Sequence, residues 1–269
     1  MKRSRSRAGS GTARIAQAES ITVSEERGVR YLHFGTEWVQ GAMRVRKPWA
    51  LELDYSRHMM AWLLFTDVPA RLLQVGLGAG SLAKFVLKTM PACELTVVDN
   101  SVAVQSVAHS QFRLPAEDDR FEVVIADGET FVAQPSLRGR FPVIQLDVFD
   151  ADARGPALDS AQFYTHCSRL LCEGGVMTVN LFGDVPSYAL NLERIRTAFQ
   201  GRVLVLPPLD AGNVIAIGFA ERAAPLSWSA MRSRAIQVGE QFDLDAQGWV
   251  NGLRDSVARG LSSGLLIAD

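Results

Sequence analysis

Two features of this sequence could take part in chemistry: a run of alternating glycines and a pair of aspartates further along the chain. Gly76, Gly78 and Gly80 follow an apolar run and precede an amphipathic segment. Glycines let a backbone turn tightly and approach a ligand, and the start of a helix offers free N–H groups, so this corner predicts a nucleoside-type ligand. A tight structural turn is the alternative. Asp147 and Asp150 could cradle a cation or take a proton from an amine, or they could cap the next helix.

Two more acidic positions fit the same ligand. Asp99 ends the next strand-like run, nineteen residues after Gly80, where a carboxylate can accept the hydroxyls of a ribose. Asp127 and Gly128 follow the run after that one. Asp127 could accept a hydrogen bond from an adenine amino group, or simply cap the helix that it precedes.

The elements that must position these residues alternate between strand and helix. Because the strands are apolar throughout, they predict a parallel sheet that is covered on both faces. Ligands of such sheets bind beyond the carboxyl ends of the strands, so the polar residues there should meet. The predicted strands are 71–76, 93–98, 121–126, 142–147 and 175–181, and the predicted helices are 80–90, 101–111, 159–172 and 186–199.

The remaining segments complete an α/β fold: a Rossmann-like, mostly parallel sheet of the S-adenosylmethionine type, with a small N-terminal antiparallel β unit. Short runs beginning at Ile21, Val29 and Trp38 predict the β unit, and Leu53–Phe65 has helical spacing. Val203–Leu206 and Asn213–Phe219 predict a terminal hairpin. We divide the chain into a disordered basic tail (1–20), the β unit with its linking helix (21–65), the nucleoside-binding core (66–222) and a helical extension (223–269).

Composition excludes several classes of function. The 269 residues have a formal net charge of −1, and no apolar run is long enough to span a bilayer, so we expect neither a nucleic acid nor a membrane as partner. The three cysteines and four histidines show no metal-ligand spacing, which predicts no metal site. The basic tail lacks the apolar segment of a secretory signal, and buried free thiols would fit a reducing cytoplasm.

With these residues in view, the chain resembles the spermidine synthase (polyamine aminopropyltransferase) family from about Val39 to Phe219, and within it a divergent bacterial group. The order and spacing of the matching blocks are more specific than any single block. They are Val39-Gln40, Tyr55, Gly76-Leu-Gly-Ala-Gly80, Arg120 to Gly128, Asp147-Val-Phe-Asp150, Phe163-Tyr164 and Leu170-Leu-Cys-Glu-Gly-Gly-Val176.

The resemblance implies a homodimeric transferase that moves an aminopropyl group from decarboxylated S-adenosylmethionine, a co-substrate rather than a permanent cofactor, to putrescine. It implies that Asp147 accepts the proton of the attacking amine, that Tyr55 orients this amine and that Asp150 holds charge nearby. The donor would be bound by Gln40 and by the residues already singled out from the sequence: Gly76, Gly78, Gly80, Asp99, Asp127 and Gly128.

Three positions depart from the family pattern. Ala79 stands where the family has an acid that grips the aminopropyl amine, Val97 where it has a glutamate for the ribose, and Arg57 where it has a glutamate near the tyrosine. Ala79 favours an alternative that uses S-adenosylmethionine itself, an amine N-methyltransferase. The three together keep open a non-catalytic nucleoside-binding protein. NAD-dependent oxidoreduction, based on the glycines and Asp99, fits the aspartate pair poorly.

Overall fold

The strands of this protein form two sheets, and helices cover the larger one. The computed structural model describes residues 21–35, 38–149, 159–183, 185–221, 226–262 and 267. The smaller sheet is antiparallel, with the order β1 (Ile21–Glu26), β2 (Val29–Phe34) and β3 (Gly41–Arg44). It precedes the larger sheet in the chain, so the predicted α/β class and the N-terminal antiparallel unit are confirmed.

The larger sheet has seven strands in the order β6-β5-β4-β7-β8-β10-β9. Its first five strands pair in parallel, while β10 is antiparallel to both β8 and β9, as the terminal hairpin predicted. The strands are β4 (Arg71–Val75), β5 (Glu94–Asp99), β6 (Phe121–Ile125), β7 (Phe141–Leu146), β8 (Leu171–Phe182), β9 (Val203–Val205) and β10 (Asn213–Phe219).

The order of the strands reverses beside β4. The chain proceeds outward from β4 through β5 to β6, and then returns to the other side of β4 with β7 and β8. Such a reversal opens a crevice at the carboxyl ends of the two central strands. Because β10 is antiparallel to its neighbours, it brings its first residues, rather than its last, to this same edge.

Helices lie between the strands and after the last of them. Buried apolar side chains of β4, β5, α2 (Ser81–Thr89) and the last two helices share one core on one side of the sheet, and those of β7, β8, α5 (Ala161–Leu170) and α6 (Tyr188–Ala198) form a second core. Among the described residues no helix is long and apolar enough to cross a membrane. The helices are α1 (Asp54–His58), α2 (Ser81–Thr89), α3 (Val102–Phe112), α4 (Gly128–Val132), α5 (Ala161–Leu170), α6 (Tyr188–Ala198), α7 (Trp228–Phe242) and α8 (Ala246–Ala258).

Some boundaries differ from those that the pattern predicts. The third strand of the small sheet begins at Gly41 instead of Trp38, so residues 38–40 lie outside it. The helical spacing of Leu53–Phe65 corresponds to α1 and a following 3-10 helix, Met59–Leu64, whose residues are all buried. Helix α5 ends at Leu170 and strand β8 begins at Leu171, whereas the pattern predicts a helix to residue 172 and a strand from residue 175. Because the 3-10 helix is buried on every side, the residues within it show little periodicity, and the sequence does not locate the boundary between it and α1.

Candidate active site

The glycine loop joins β4 to α2 and adopts a backbone that favours glycine. Gly76, Gly78 and Gly80 have φ angles of 92°, 51° and 66°, all in the left-handed region. Gly80 is the N-cap residue of α2, and a Cβ atom there would contact the Leu114 side chain at 2.9 Å. The loop therefore turns sharply and sets the start of α2 beside the crevice.

Asp99 holds this loop in place. Its Oδ2 accepts a hydrogen bond of 2.8 Å from the Leu77 backbone N–H, and its Oδ1 accepts one of 2.9 Å from Ser101. Burial raises the pKa of Asp99, while these backbone hydrogen bonds oppose the rise. Asp99 lines the crevice, whereas Val97 is fully buried within the core on one side of the sheet. Of these two residues, only Asp99 is placed to reach a ligand.

Asp127 is the N-cap residue of α4. Its Oδ1 accepts hydrogen bonds from both the backbone N–H and the hydroxyl of Thr130, at 2.8 Å and 2.7 Å, and these bonds lower the pKa of Asp127. The capping role that the sequence allowed is thus present. Since both of these hydrogen bonds use Oδ1, the capping role leaves Oδ2 for a ligand, and Asp127 and Gly128 both line the crevice.

Asp147 lies beyond the end of β7 at the centre of a chain of polar side chains. Its Oδ1 accepts a hydrogen bond of 2.9 Å from the Asn180 amide, whose own oxygen accepts one of 3.0 Å from Asn213. The Tyr55 phenol also donates to the Asp147 carboxylate. Burial raises the pKa of Asp147 to about 6 against these stabilising bonds, and burial together with the Asp147 charge raises the pKa of Tyr55.

These residues surround one cavity of about 880 Å³. Of the residues that the structure describes, five carboxylates and no lysine, arginine or histidine line it. A cavity with this lining favours a positively charged ligand, because three of the five carboxylates, Asp99, Asp127 and Asp147, belong to no ion pair among the described residues. The five are Glu52, Asp54, Asp99, Asp127 and Asp147.

Most of the predicted site residues meet here. Gln40, Tyr55, Gly76 and Gly78 line the cavity together with Asp99, Asp127, Gly128 and Asp147. Gly80 does not line it but forms the turn into α2. Asp150 lies outside the described residues. Among the described residues, no group of three histidine, cysteine or acidic side chains is arranged to hold a metal ion.

The sequence did not single out three residues that the structure places in this cavity: Glu52, Asp54 and Asn213. Glu52 is paired with Arg44 through hydrogen bonds of 2.9 Å and 2.5 Å. Asn213 is the first residue of β10, and the antiparallel hairpin was the signal that could have located it. A strand that runs backwards presents its first residue where parallel strands present their last.

The departures from the family pattern also have structural explanations. Arg57 does not line the cavity. Its guanidinium donates to the Leu51 and Glu52 carbonyls and pairs with Asp54, so it braces the segment before α1. Ala79 does line the cavity, and a Cβ atom added to Gly41 would lie 2.7 Å from the Ala79 methyl group. The small sheet therefore packs closely on the glycine loop.

Comparison with known proteins gives relatives along most of the chain, although no family model matches it. A polyamine aminopropyltransferase of Chromobacterium violaceum is 37% identical over 236 residues, which cover 88% of this chain and 90% of that protein. A polyamine aminopropyltransferase of Neisseria meningitidis is 34% identical over 237 residues, covering 88% of this chain and 89% of the relative.

Solved structures share the fold at lower sequence identity. A probable spermidine synthase of Corynebacterium glutamicum superposes with a TM-score of 0.66 at 21% identity, covering 80% of this chain and 83% of the other. A spermidine synthase in complex with the transition-state analogue AdoDATO gives 0.66 at 20% identity, with 90% and 88% covered. Human methyltransferase-like protein 13 in complex with SAH gives 0.60 at 25% identity, with 75% and 93% covered.

Proposed function

Because this chain belongs to the polyamine aminopropyltransferase family, and is therefore a transferase, we propose that it moves an aminopropyl group from decarboxylated S-adenosylmethionine to a diamine such as putrescine. The observation that carries this proposal is the cavity with five carboxylates and, among the described residues, no cationic side chain. The donor is a sulfonium cation and the acceptor arrives as an ammonium ion, so both suit an acidic cavity.

The donor half of the cavity is formed by the glycine loop and the ends of β5 and β6. In the proposed complex Asp99 accepts the ribose hydroxyls with the lone pairs that Leu77 and Ser101 leave free. The unengaged oxygen of Asp127 accepts from the adenine amino group, with Gly128 beside it. Gln40, on the segment before β3 and beside Gly78 of the glycine loop, contacts the donor as well.

The acceptor half is built around Asp147. An amine in water is mostly protonated and not nucleophilic, so it must lose a proton before it attacks. Asp147 takes that proton, and Tyr55 orients the amine beside it. The nitrogen lone pair then forms a bond to the methylene carbon of the aminopropyl group that is attached to sulfur, the bond between this carbon and sulfur breaks, and its electron pair remains on sulfur. Methylthioadenosine leaves as a neutral thioether, so alignment of the two substrates supplies much of the rate.

Product analysis by mass spectrometry tests this reaction. The purified protein is incubated with putrescine and either decarboxylated S-adenosylmethionine or S-adenosylmethionine. We expect spermidine and methylthioadenosine in the first mixture and no product in the second. The absence of spermidine from the first mixture, with the donor bound, would contradict the proposal for this acceptor.

A second candidate is an amine N-methyltransferase that uses S-adenosylmethionine. Ala79 favours it, because no carboxylate at this position of the cavity would repel the donor carboxylate. The likeness to human methyltransferase-like protein 13, which is bound to SAH, is in agreement with it. An N-methylated amine in the second mixture would identify this activity.

The acidic limb of the pH profile provides a further prediction. Asp147 must be ionised to accept a proton, so kcat/KM is expected to rise with pH through about 6 and then to level off. The Asn180 hydrogen bond lowers the pKa of Asp147, so Asn180→Ala should move this limb to higher pH. Asn213→Ala, which releases the Asn180 amide, should move it less. Asn251→Ala, an exposed position on α8, is the matched control and should leave the limb in place.

Three further expectations stay proposals. We propose that the catalytic unit of 66–222 works together with the β unit of 21–65. The close approach of Gly41 to Ala79 and the hydrogen bond from the Ser81 hydroxyl to the Ala42 carbonyl support this cooperation.

A cytoplasmic location is supported by the free thiols of Cys93 and Cys167, which are buried. The homodimer is a prediction that sedimentation velocity would test. The basic tail and the role of Asp150 also stay predictions.

A further inference from the structure

A second cavity lies on the far side of α2 and shares no lining residue with the candidate active site. Its volume is about 210 Å³, enough for a small molecule or a functional group. Its walls are the segment after β3, one face of α2, and the connection between α3 and β6. Nothing in the proposed transfer reaction uses this cavity.

The charge of this cavity is the opposite of that in the active site. Four cationic side chains line it: Lys84, Lys88, Arg113 and Arg120. Across the described part of the chain, none of the four belongs to an ion pair. The one acidic lining residue, Asp118, uses its Oδ1 to accept a hydrogen bond from the Arg120 backbone N–H. The cavity therefore carries excess positive charge.

One of these cations is buried and a second is half-buried, which makes their charge costly unless an anion offsets it. Lys84 is only 4% exposed, its ammonium donates a hydrogen bond of 2.7 Å to the Phe112 carbonyl, and burial lowers the pKa of Lys84 to about 7. Arg120 donates through Nη2 to the Leu87 carbonyl at 2.8 Å. Its Nη1 is buried and has no hydrogen-bond partner among the described residues.

Part of the lining is apolar. Trp49 is 39% exposed at the cavity, and the Lys88 ammonium lies 5.1 Å from the centroid of its ring. Pro48, Pro115 and Leu87 complete the apolar lining. An indole face beside several cations matches a ligand with a charged end and an apolar body.

We propose that this cavity binds a small organic anion, a phosphate monoester or a carboxylate, whose charged group contacts Lys88, Arg113 and Arg120 and whose apolar part packs against Trp49. An anion there offsets positive charge that the protein itself leaves uncompensated. The negative charge of the ligand also lies near Lys84, where it stabilises the charged ammonium relative to the neutral amine.

Calorimetric titration of the full chain with three probes tests the proposal. Phenyl phosphate and benzoate carry an apolar ring with a phosphate or a carboxylate, whereas inorganic phosphate has the charge alone. We expect saturable binding of one ring-bearing probe at one site per chain, with weaker binding of inorganic phosphate. The stronger of the two ring-bearing probes identifies the charged group that the cavity prefers.

Variants assign the binding to this cavity. Lys88→Gln combined with Arg113→Gln removes two charges without changing a buried group, and should weaken binding by about tenfold or more. Trp49→Ala should weaken the ring-bearing probes and leave inorganic phosphate unchanged. Arg140→Gln removes an exposed cation outside the cavity and is the matched control, expected to bind as the parent does. Absence of saturable binding by all three probes, or equal binding by the parent and the double variant, would overturn the proposal.

Discussion

Replacement of Asp147 by asparagine is expected to reduce aminopropyl transfer by about a thousandfold while the donor still binds. Asparagine keeps the shape of the side chain but cannot accept the proton that the acceptor amine must lose. Donor binding should change little, since Asp99, Asp127 and the glycine loop lie on other elements. Single-turnover assays and calorimetric titration with the donor separate these two effects.

The stability of Asp147→Asn is the control for this prediction, because it shows whether the inactive variant is folded. Burial raises the pKa of Asp147 to about 6, so the folded protein holds this proton more tightly than the unfolded chain does. The stability that this provides is present at low pH and is lost as pH rises through about 6. Asp147→Asn is therefore expected to be more stable than the parent by about 1–2 kcal/mol at pH 8, and this difference should shrink towards pH 4.

Denaturant unfolding at the two pH values measures that difference. An inactive variant that is folded and binds the donor supports the catalytic role of Asp147. A variant that loses folding, donor binding and transfer to the same extent would remove the catalytic assignment, because Asp147 would then be a structural residue.

Replacement of Gly76 by alanine is the second large effect. A Cβ atom on Gly76 would overlap the carbonyl oxygen of Asp147, and its φ of 92° is strained for any residue that has a side chain. The backbone of Asp147 must therefore shift, and its N–H, which donates to the Val75 carbonyl at 2.9 Å, moves with it. We expect a loss of about 3 kcal/mol or more in the free energy of unfolding, together with loss of donor binding and transfer.

Gly174→Ala is the matched control for this prediction. Gly174 has a φ of 72°, but an added Cβ atom would meet nothing within 4 Å. This variant should lose only the cost of a left-handed backbone, about 1–2 kcal/mol, and retain its activity. The difference between the two variants in denaturant unfolding measures the contact between the glycine loop and Asp147. Equal destabilisation would show that this contact is not tight.

Much of the fold follows from local pattern. The apolar runs that form β4, β5, β6 and β7 have the length and composition of strands covered on both faces, and the helices between them have the expected spacing. Once a sheet is parallel, polar residues at the carboxyl ends of its strands must share one edge. Tyr55, Asp99, Asp127 and Asp147 were predicted on these grounds or from resemblance, and they line one cavity.

Other parts of the site depend on contacts between distant segments. The sequence left Val97 and Asp99 as alternatives for the ribose, and because they are two residues apart, alternation along β5 does not separate them. Their position along the strand does: Val97 is buried in the core, whereas Asp99 is the last residue of β5 and accepts a hydrogen bond from the Leu77 N–H at the edge of the sheet. Asn213 meets Asn180 only because β10 pairs with β8 in the antiparallel sense.

The alternation of elements, the turn at the glycine loop and the residue types at the strand ends follow from local pattern, because each depends on neighbours along the chain. Which charges face one another depends on how distant segments pack. Arg57 braces the backbone before α1 rather than facing the substrate cavity, and Lys84 of α2 meets Arg113 and Arg120 of the connection between α3 and β6. Electrostatic fields and pKa values depend on distance and burial in space, which no local pattern encodes.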